Sequence, residues 1–283
     1  MLKNITAEQV AQTITPRAPK SYKCNYGRVL LVGGNEQFGG AIIMAAEACL
    51  NTGAGLITVA TNSINNAALH TRIPEAMFID YHAQELLVPA IKAADIVVIG
   101  PGLGTTPFAL ELVKTCLKLL VEQQTCIIDA SALTISAENP ALINDCKAQI
   151  ILTPHQMEWQ RLSGVKIAAQ TDLQNSTQLA KLSDHATLVL KSERTKVYDQ
   201  SPTVWQNPLG NPGMATGGMG DTLTGIIAGI VAQFGTTTNT VNAAVYLHSF
   251  TGDQIAQQDY VVLPAKLSHL LPQVIQQFSK QNA

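Results

Sequence analysis

Apolar residues along this chain gather in short runs bounded by turn residues: "RVLLVGG" at 28–34, "LITVAT" at 56–61, "DIVVIGPG" at 95–102, "TCIIDA" at 125–130, "AQIILTPH" at 148–155 and "TLVLKS" at 187–192. Their brevity and their Val, Ile and Thr content predict strands. Because the runs are apolar on both faces, those strands are expected to lie buried between two helix layers. Between them the spacing turns helical, as in "GAIIMAAEACLNTG" at 40–53, "PFALELVKTCLKLLVEQQ" at 107–124 and "TDLQNSTQLAKLSDH" at 171–185. This alternation predicts an α/β fold with a largely parallel, doubly wound sheet. "TKVYDQSPTVWQN" at 195–207 reads as a hairpin, and the chain beyond it reads as helical to its end.

In such sheets the ligand crevice lies at the carboxyl ends of the strands. The unusual residues of this chain fall there: "GGNEQFGG", "GPGLG", "DASAL", "TPH" and "KSERT" each follow a predicted strand. Any one of them could be a plain connection, since turns favour Gly, Pro, Asp and Thr. Five at one edge argue for a site.

Composition narrows what that site takes. The 283 residues are 46% hydrophobic and 13% charged with a net charge of -2, so the chain can bury a core and offers no basic stripe for nucleic acid or anionic lipid. A small molecule is the expected ligand. The five cysteines (Cys24, Cys49, Cys116, Cys126, Cys146) show no metal spacing and read as core thiols of a reducing compartment. No signal peptide or spanning run is visible, which points to a cytoplasmic protein. No linker or internal repeat interrupts the chain, so positions 1–283 are expected to form one domain.

Two glycine loops fail as familiar nucleotide motifs. "GNEQFGGA" has the spacing of a phosphate loop but places Gly40 and Ala41 where Lys and Ser or Thr belong. "GPGLGT" has Thr105 in place of the third glycine of a dinucleotide fingerprint, which disfavours a Rossmann dehydrogenase. "GGMGD" is different in kind. Gly217, Gly218 and Gly220 can turn the chain at positive φ and aim amides into a nest, with Asp221 opening an apolar helix. An isolated Asp there would read as a helix cap. Beside an anion nest it fits phosphoryl transfer, where amides hold the transferred group and an aspartate takes the attacking hydroxyl's proton.

"GNPGMATGGMGDTLTGIIAG" at 210–229, together with "GRVLLVGG", "GGAIIMAAEACLNTGAGLITVAT", "VVIGPGLG", "TPHQMEWQRL" and "VLKSERTKV", resembles the ADP/ATP-dependent NAD(P)H-hydrate dehydratases over about residues 22–278. The resemblance implies a ribokinase-like three-layer α/β/α sandwich and a repair reaction. Such enzymes return the S form of hydrated NADH or NADPH to the normal cofactor, using ADP in most bacterial members or ATP in eukaryotic ones, with Mg2+. It assigns Asp221 as catalytic base and substrate contact, and Ala41, Gly104 and His155 as further substrate contacts. It places the adenine nucleotide on Lys191, Ser192, Glu193, Arg194 and Thr195 with the 217–220 turn, and puts Glu158 where an acidic residue positions magnesium through water. A separate epimerase and a homo-oligomer, often a tetramer, are also implied.

The chain departs from the family pattern at Ser131 in "DASAL", where a second aspartate is common, while Asp129 is kept. It departs also at Gln156 and Met157 in "TPHQMEW" and at Ser192 in "KSERT". Alone, His155 would read as a structural histidine and Lys191 as a solvated strand-end charge. Within the same fold, a small-molecule kinase acting on a sugar, hydroxymethylpyrimidine or thiazole alcohol is the alternative. A non-catalytic nucleotide sensor is a third reading, which the intact "GMATGGMGD" opposes.

Overall fold

The computed structural model describes residues 1–280, so the last three positions of the expected 1–283 unit lie outside the described residues. Ten strands join one sheet: β1 (Leu2–Asn4), β2 (Arg28–Val32), β3 (Leu56–Thr61), β4 (Met77–Asp80), β5 (Ile96–Ile99), β6 (Thr125–Ile128), β7 (Gln149–Leu152), β8 (Ala186–Leu190), β9 (Lys196–Tyr198) and β10 (Val204–Gln206). Their order is β1-β10-β9-β8-β7-β6-β5-β2-β3-β4. Every pairing from β4 across to β8 is parallel. The expected hairpin is β9–β10, which joins the sheet antiparallel to β8.

The two-sided apolar runs do what their pattern demands. Along β2, Val29 and Leu31 point into one core while Leu30 and Val32 point into the other. Successive side chains of a strand face opposite ways, so each central strand supplies both helix layers. The first layer holds the helices Gly39–Thr52, Met219–Phe234, Thr238–Ala256 and Pro264–Ser279. The second holds Gln84–Ala93, Pro107–Leu119, Ala130–Glu138, Gln156–Ser163 and Asp172–Leu182. None of the described helices is long and apolar enough to cross a membrane.

Two edge strands carried no sequence signal. β1 is exposed along its length and pairs in parallel with β10, 200 positions away in the chain, so no local pattern marks it. β4 has one fully exposed residue and three half-buried ones, short of the alternation a half-buried strand shows. The 107–124 helix ends early, at Leu119, and Gln124 Oε1 turns back to accept from the Val121 amide at 3.0 Å.

The chain leaves β2 toward β3 and β4, then returns to β5 on the other side of β2. Strand order therefore reverses beside β2, where a crevice opens at the carboxyl ends. The Met219–Phe234 helix reaches this end along the Gly39–Thr52 helix, and glycines set how closely the two pack. A Cβ on Gly225 would lie 2.0 Å from the Ala45 carbonyl oxygen, and one on Gly229 would lie 2.7 Å from Thr52 Cβ. The glycines inside "TLTGIIAGIV" thus serve helix contact.

Candidate active site

The carboxyl ends of β8, β7, β6, β5 and β2 stand side by side, and each delivers part of the site. β6 is followed directly by Asp129, whose side chain is buried. The next residue, Ala130, has φ 47, the single positive φ outside glycine among the described residues, and the backbone turns sharply there into the following helix. Asp129 stands at the N-cap position of that helix, but its side chain makes no capping hydrogen bond. Its Oδ1 instead accepts from Lys191 Nζ at 3.0 Å and its Oδ2 from Thr224 Oγ1 at 2.8 Å.

Lys191 follows β8, where its amide donates to the Pro154 carbonyl at 2.9 Å and its backbone bridges to His155. Burial pulls the lysine pKa down, and the carboxylates of Asp129, Glu158 and Asp221 more than reverse this, so it is raised and the ammonium stays charged. Its Nζ lies 3.4 Å from where a Cβ on Gly220 would stand. Glycine at 220 leaves room for this ammonium against the helix.

Asp221 has its pKa pushed up to about 7 by burial, with Asp129 and Glu158 adding to the rise and Lys191 opposing it. Such a carboxyl can take or give a proton near neutrality. It is not the helix cap that an isolated aspartate would suggest. Gly218 holds that position at φ 91, and no side chain caps the first turn. The expectation of three positive-φ glycines is corrected accordingly: only Gly218 is in that region, and Gly220 already belongs to the helix. One left-handed residue suffices to turn the chain, and Gly217 is exposed with open space around it. No side chain competes with an anion for this first turn, although the Met219 amide already donates to the Thr216 carbonyl at 3.4 Å.

His155 begins the Gln156–Ser163 helix in a reciprocal cap. Its Nδ1 accepts from the amides of Met157 and Glu158 at 3.1 and 3.2 Å, and Glu158 Oε2 accepts from the His155 amide at 2.8 Å. The structural duty and the site position thus coincide. Its Nε2 lies 3.6 Å from the same Glu158 oxygen. The changes at Gln156 and Met157 leave this cap intact.

Across the reversal between β2 and β5, Ala41 faces Gly102, while the loop position Gly104 lies against Asn35. Gly102, at φ 63, packs so close to Phe38 and Ala41 that a Cβ there would stand 3.0 Å from Ala41 Cβ. Gly104 donates its amide to Ser131 Oγ at 2.9 Å. The serine found where an aspartate is usual therefore fixes the Gly104 loop. Ser192, the other departure, accepts from the Arg194 amide at 3.2 Å and shapes its own loop.

A cavity of about 540 Å3 opens beside these groups, lined by Lys191 to Thr195 and Gly220. Gly217 and Gly218 are not in its wall. A larger cleft, about 980 Å3, is lined by Arg17, Gly53 and Phe234 at the far ends of the first-layer helices and contains none of the residues above. The smaller one is the candidate for the chemistry because Lys191, which lines it, is also the ammonium bonded to Asp129. Among the described residues no three His, Cys, Asp or Glu side chains converge to hold a metal unaided. Sequence reasoning gave no role to Asp129, Thr224 or His248. Asp129 ends a predicted strand and so carried a signal, whereas Thr224 and His248 lie inside apolar helices and carried none.

Comparison with known proteins identifies the family and the fold. A family model described as NAD(P)H-hydrate dehydratase matches residues 29–273. An ADP-dependent (S)-NAD(P)H-hydrate dehydratase of Lactiplantibacillus plantarum is 49% identical over 276 residues, covering 98% of this chain and 98% of its own. The crystal structure of a ribokinase-like superfamily protein from Enterococcus faecalis superposes with a TM-score of 0.95 at 47% identity, covering 99% of this chain and 97% of that one. An ADP/ATP-dependent NAD(P)H-hydrate dehydratase of Bacillus subtilis, co-crystallized with ATP/Mg2+, gives 0.82 at 26% identity, covering 97% and 98%. The fold and its helix-flanked, mostly parallel sheet are thus ribokinase-like, and the chain belongs to the NAD(P)H-hydrate dehydratase family.

Proposed function

We propose that this chain dehydrates the S form of hydrated NADH or NADPH to NAD(P)H, with ADP as phosphoryl donor. The observation that carries the mechanism is Lys191, whose ammonium borders the nucleotide-sized cavity and contacts the carboxyl cluster that includes Asp221.

Hydroxide is a poor leaving group, so the hydrate must be activated before water can be lost. Asp221 takes the proton of the hydrate hydroxyl as its oxygen attacks the terminal phosphorus of ADP, and the bond from that phosphorus to AMP breaks. The ring nitrogen of the hydrate then pushes out phosphate, and loss of the neighbouring ring proton restores the double bond. Lys191 and the uncapped amides after Gly218 balance the negative charge that gathers on the transferred group. Ala41, Gly104 and His155 are read as the substrate side, and Lys191 to Thr195 with Gly220 as the nucleotide side, while Gly217 and Gly218, outside the cavity wall, make the turn that leads to it.

The hard carboxylate oxygens of Glu158 fit Mg2+, which dehydrates reluctantly and binds through water and phosphates. When bound, the ion would supply positive charge that neutralises the nucleotide's phosphates. Glu158 is the residue proposed to hold it through water, since its backbone-bound Oε2 is already fixed by the helix cap. The catalytic unit is read as positions 1–283, in a cytoplasmic homotetramer served by a separate epimerase. That part rests on the family resemblance.

The test is recovery of reduced-nicotinamide absorbance when the purified protein meets hydrated NADH and Mg2+ with ADP, with ATP or with neither. Nucleotide-dependent recovery is expected, fastest with ADP. Release of a stable phosphorylated product instead would show a kinase.

A further inference from the structure

The cavity beside Lys191 has one wall that the proposed reaction does not use. His248 lies on the Thr238–Ala256 helix, 8% exposed, and lines the cavity among Leu209, Leu223 and Val245. Its Nε2 has no hydrogen-bond partner in the protein. Burial holds its pKa down at about 4, against a backbone hydrogen bond with Met219 that favours the charged form, and the Lys191 ammonium lowers it further. The ring is therefore a neutral imidazole, and a neutral ring nitrogen that does not carry the proton is an acceptor. Leaving such an atom unpaired in an apolar wall is unfavourable, and few native groups do so without a reason.

One neighbour shares this condition, and a second offers a donor. Asn211 Oδ1 is also buried without a partner, while its Nδ2 donates to Asp253 Oδ1 at 2.7 Å and so fixes the amide's orientation. Ser249 Oγ accepts from Asn207 Nδ2 at 2.7 Å, which leaves its hydroxyl hydrogen to donate elsewhere. An apolar slot with unpaired acceptors and a free donor matches a heteroaromatic base that offers an amine beside a ring nitrogen.

We propose that His248 is a base-selecting residue of the nucleotide site: its Nε2 accepts a hydrogen bond from the exocyclic amino group of an adenine ring lodged in this cavity. The inference rests on the reading that an adenine nucleotide occupies the cavity. Met214 is the part of the wall that yields on entry. It packs against Gly252, one helical turn beyond His248, so closely that a Cβ there would collide with its thioether, and a methionine side chain moves readily.

Binding is measured by calorimetry with ADP and with its 6-deamino analogue, purine riboside diphosphate, against the wild-type protein and against His248→Leu. Wild type is expected to bind ADP at least about tenfold more tightly than the analogue, the scale of one net hydrogen bond. The leucine variant is expected to bind the two alike, within about twofold. Equal binding of both ligands by the wild type overturns the inference, as does a leucine variant that keeps the preference. A wild type that binds the two alike leaves the nucleotide reading standing, whereas one that binds neither overturns that reading as well. Where the leucine variant does not fold, the wild-type comparison decides by itself, and His248→Gln, which keeps an acceptor oxygen, is expected to retain the preference.

Discussion

Lys191 Nζ lies 3.0 Å from Asp129 Oδ1, which ties the end of β8 to the end of β6 across 62 positions of sequence. Both partners are withdrawn from water, with side-chain exposures of 19% and 2%. Attraction between them offsets the cost of burying two charges only while both are present. Lys191→Met should therefore destabilise the fold by about 3 kcal/mol, because it leaves Asp129 buried and unpaired. The KM for ADP should rise with it. Chemical denaturation and nucleotide-dependent kinetics check the two effects separately.

Asp221→Asn should reduce kcat by a factor of about 100 or more while leaving the fold intact. In the wild type, kcat/KM should fall as the pH drops below about 7, where Asp221 becomes protonated in the free enzyme. Retention of near wild-type turnover in the asparagine variant would remove Asp221 from the role of base.

The same group sets a stability trend. The pKa of Asp221 rises from 3.8 to about 7 on folding, so the folded state binds this proton more tightly than the unfolded state does. Its favourable contribution is complete below about pH 4 and is lost as the pH climbs through about 7. Asp221→Asn, which stays neutral throughout, should thus melt above the wild type at about pH 8 and close to it at about pH 4. Thermal unfolding at the two pH values reads this directly.

Ser131→Ala removes the acceptor of the Gly104 amide and should cost about 1 kcal/mol of stability. Because Gly104 is not in the wall of the nucleotide cavity, the KM for ADP should not rise, whereas that for the hydrate should. Ser131→Asp restores the usual family residue and an acceptor, and both constants are expected to stay near their original values.

Gly225→Val forces a branched side chain into the Ala45 carbonyl, 2.0 Å from the new Cβ. The two helices must separate, and the variant should lose about 3 kcal/mol or more. Urea denaturation measures the loss, and reduced nucleotide binding is expected to accompany it because the Met219–Phe234 helix carries Asp221.

The strands, the helices between them and the hairpin were legible in sequence because each depends on the periodicity of a few neighbouring residues. Motif resemblance likewise pointed to Asp221, His155 and the 191–195 loop, since each sits at a strand or helix end whose turn chemistry is local. The edge strands β1 and β4 were not legible, as pairing with a distant partner, rather than any pattern of their own, makes them strands. Nor could the sequence show that Gly218 alone turns the chain, or that Gly225 and Gly229 answer to the neighbouring helix. What tertiary structure alone decided is the electrostatics. Asp129, Glu158, Lys191 and Asp221 come from four separate segments, and their pKa values depend on distance and burial that exist only once β6, β7, β8 and the Met219–Phe234 helix have packed together. The same holds for His248, an ordinary residue of an apolar helix until folding places it, unpaired, in the wall of a cavity.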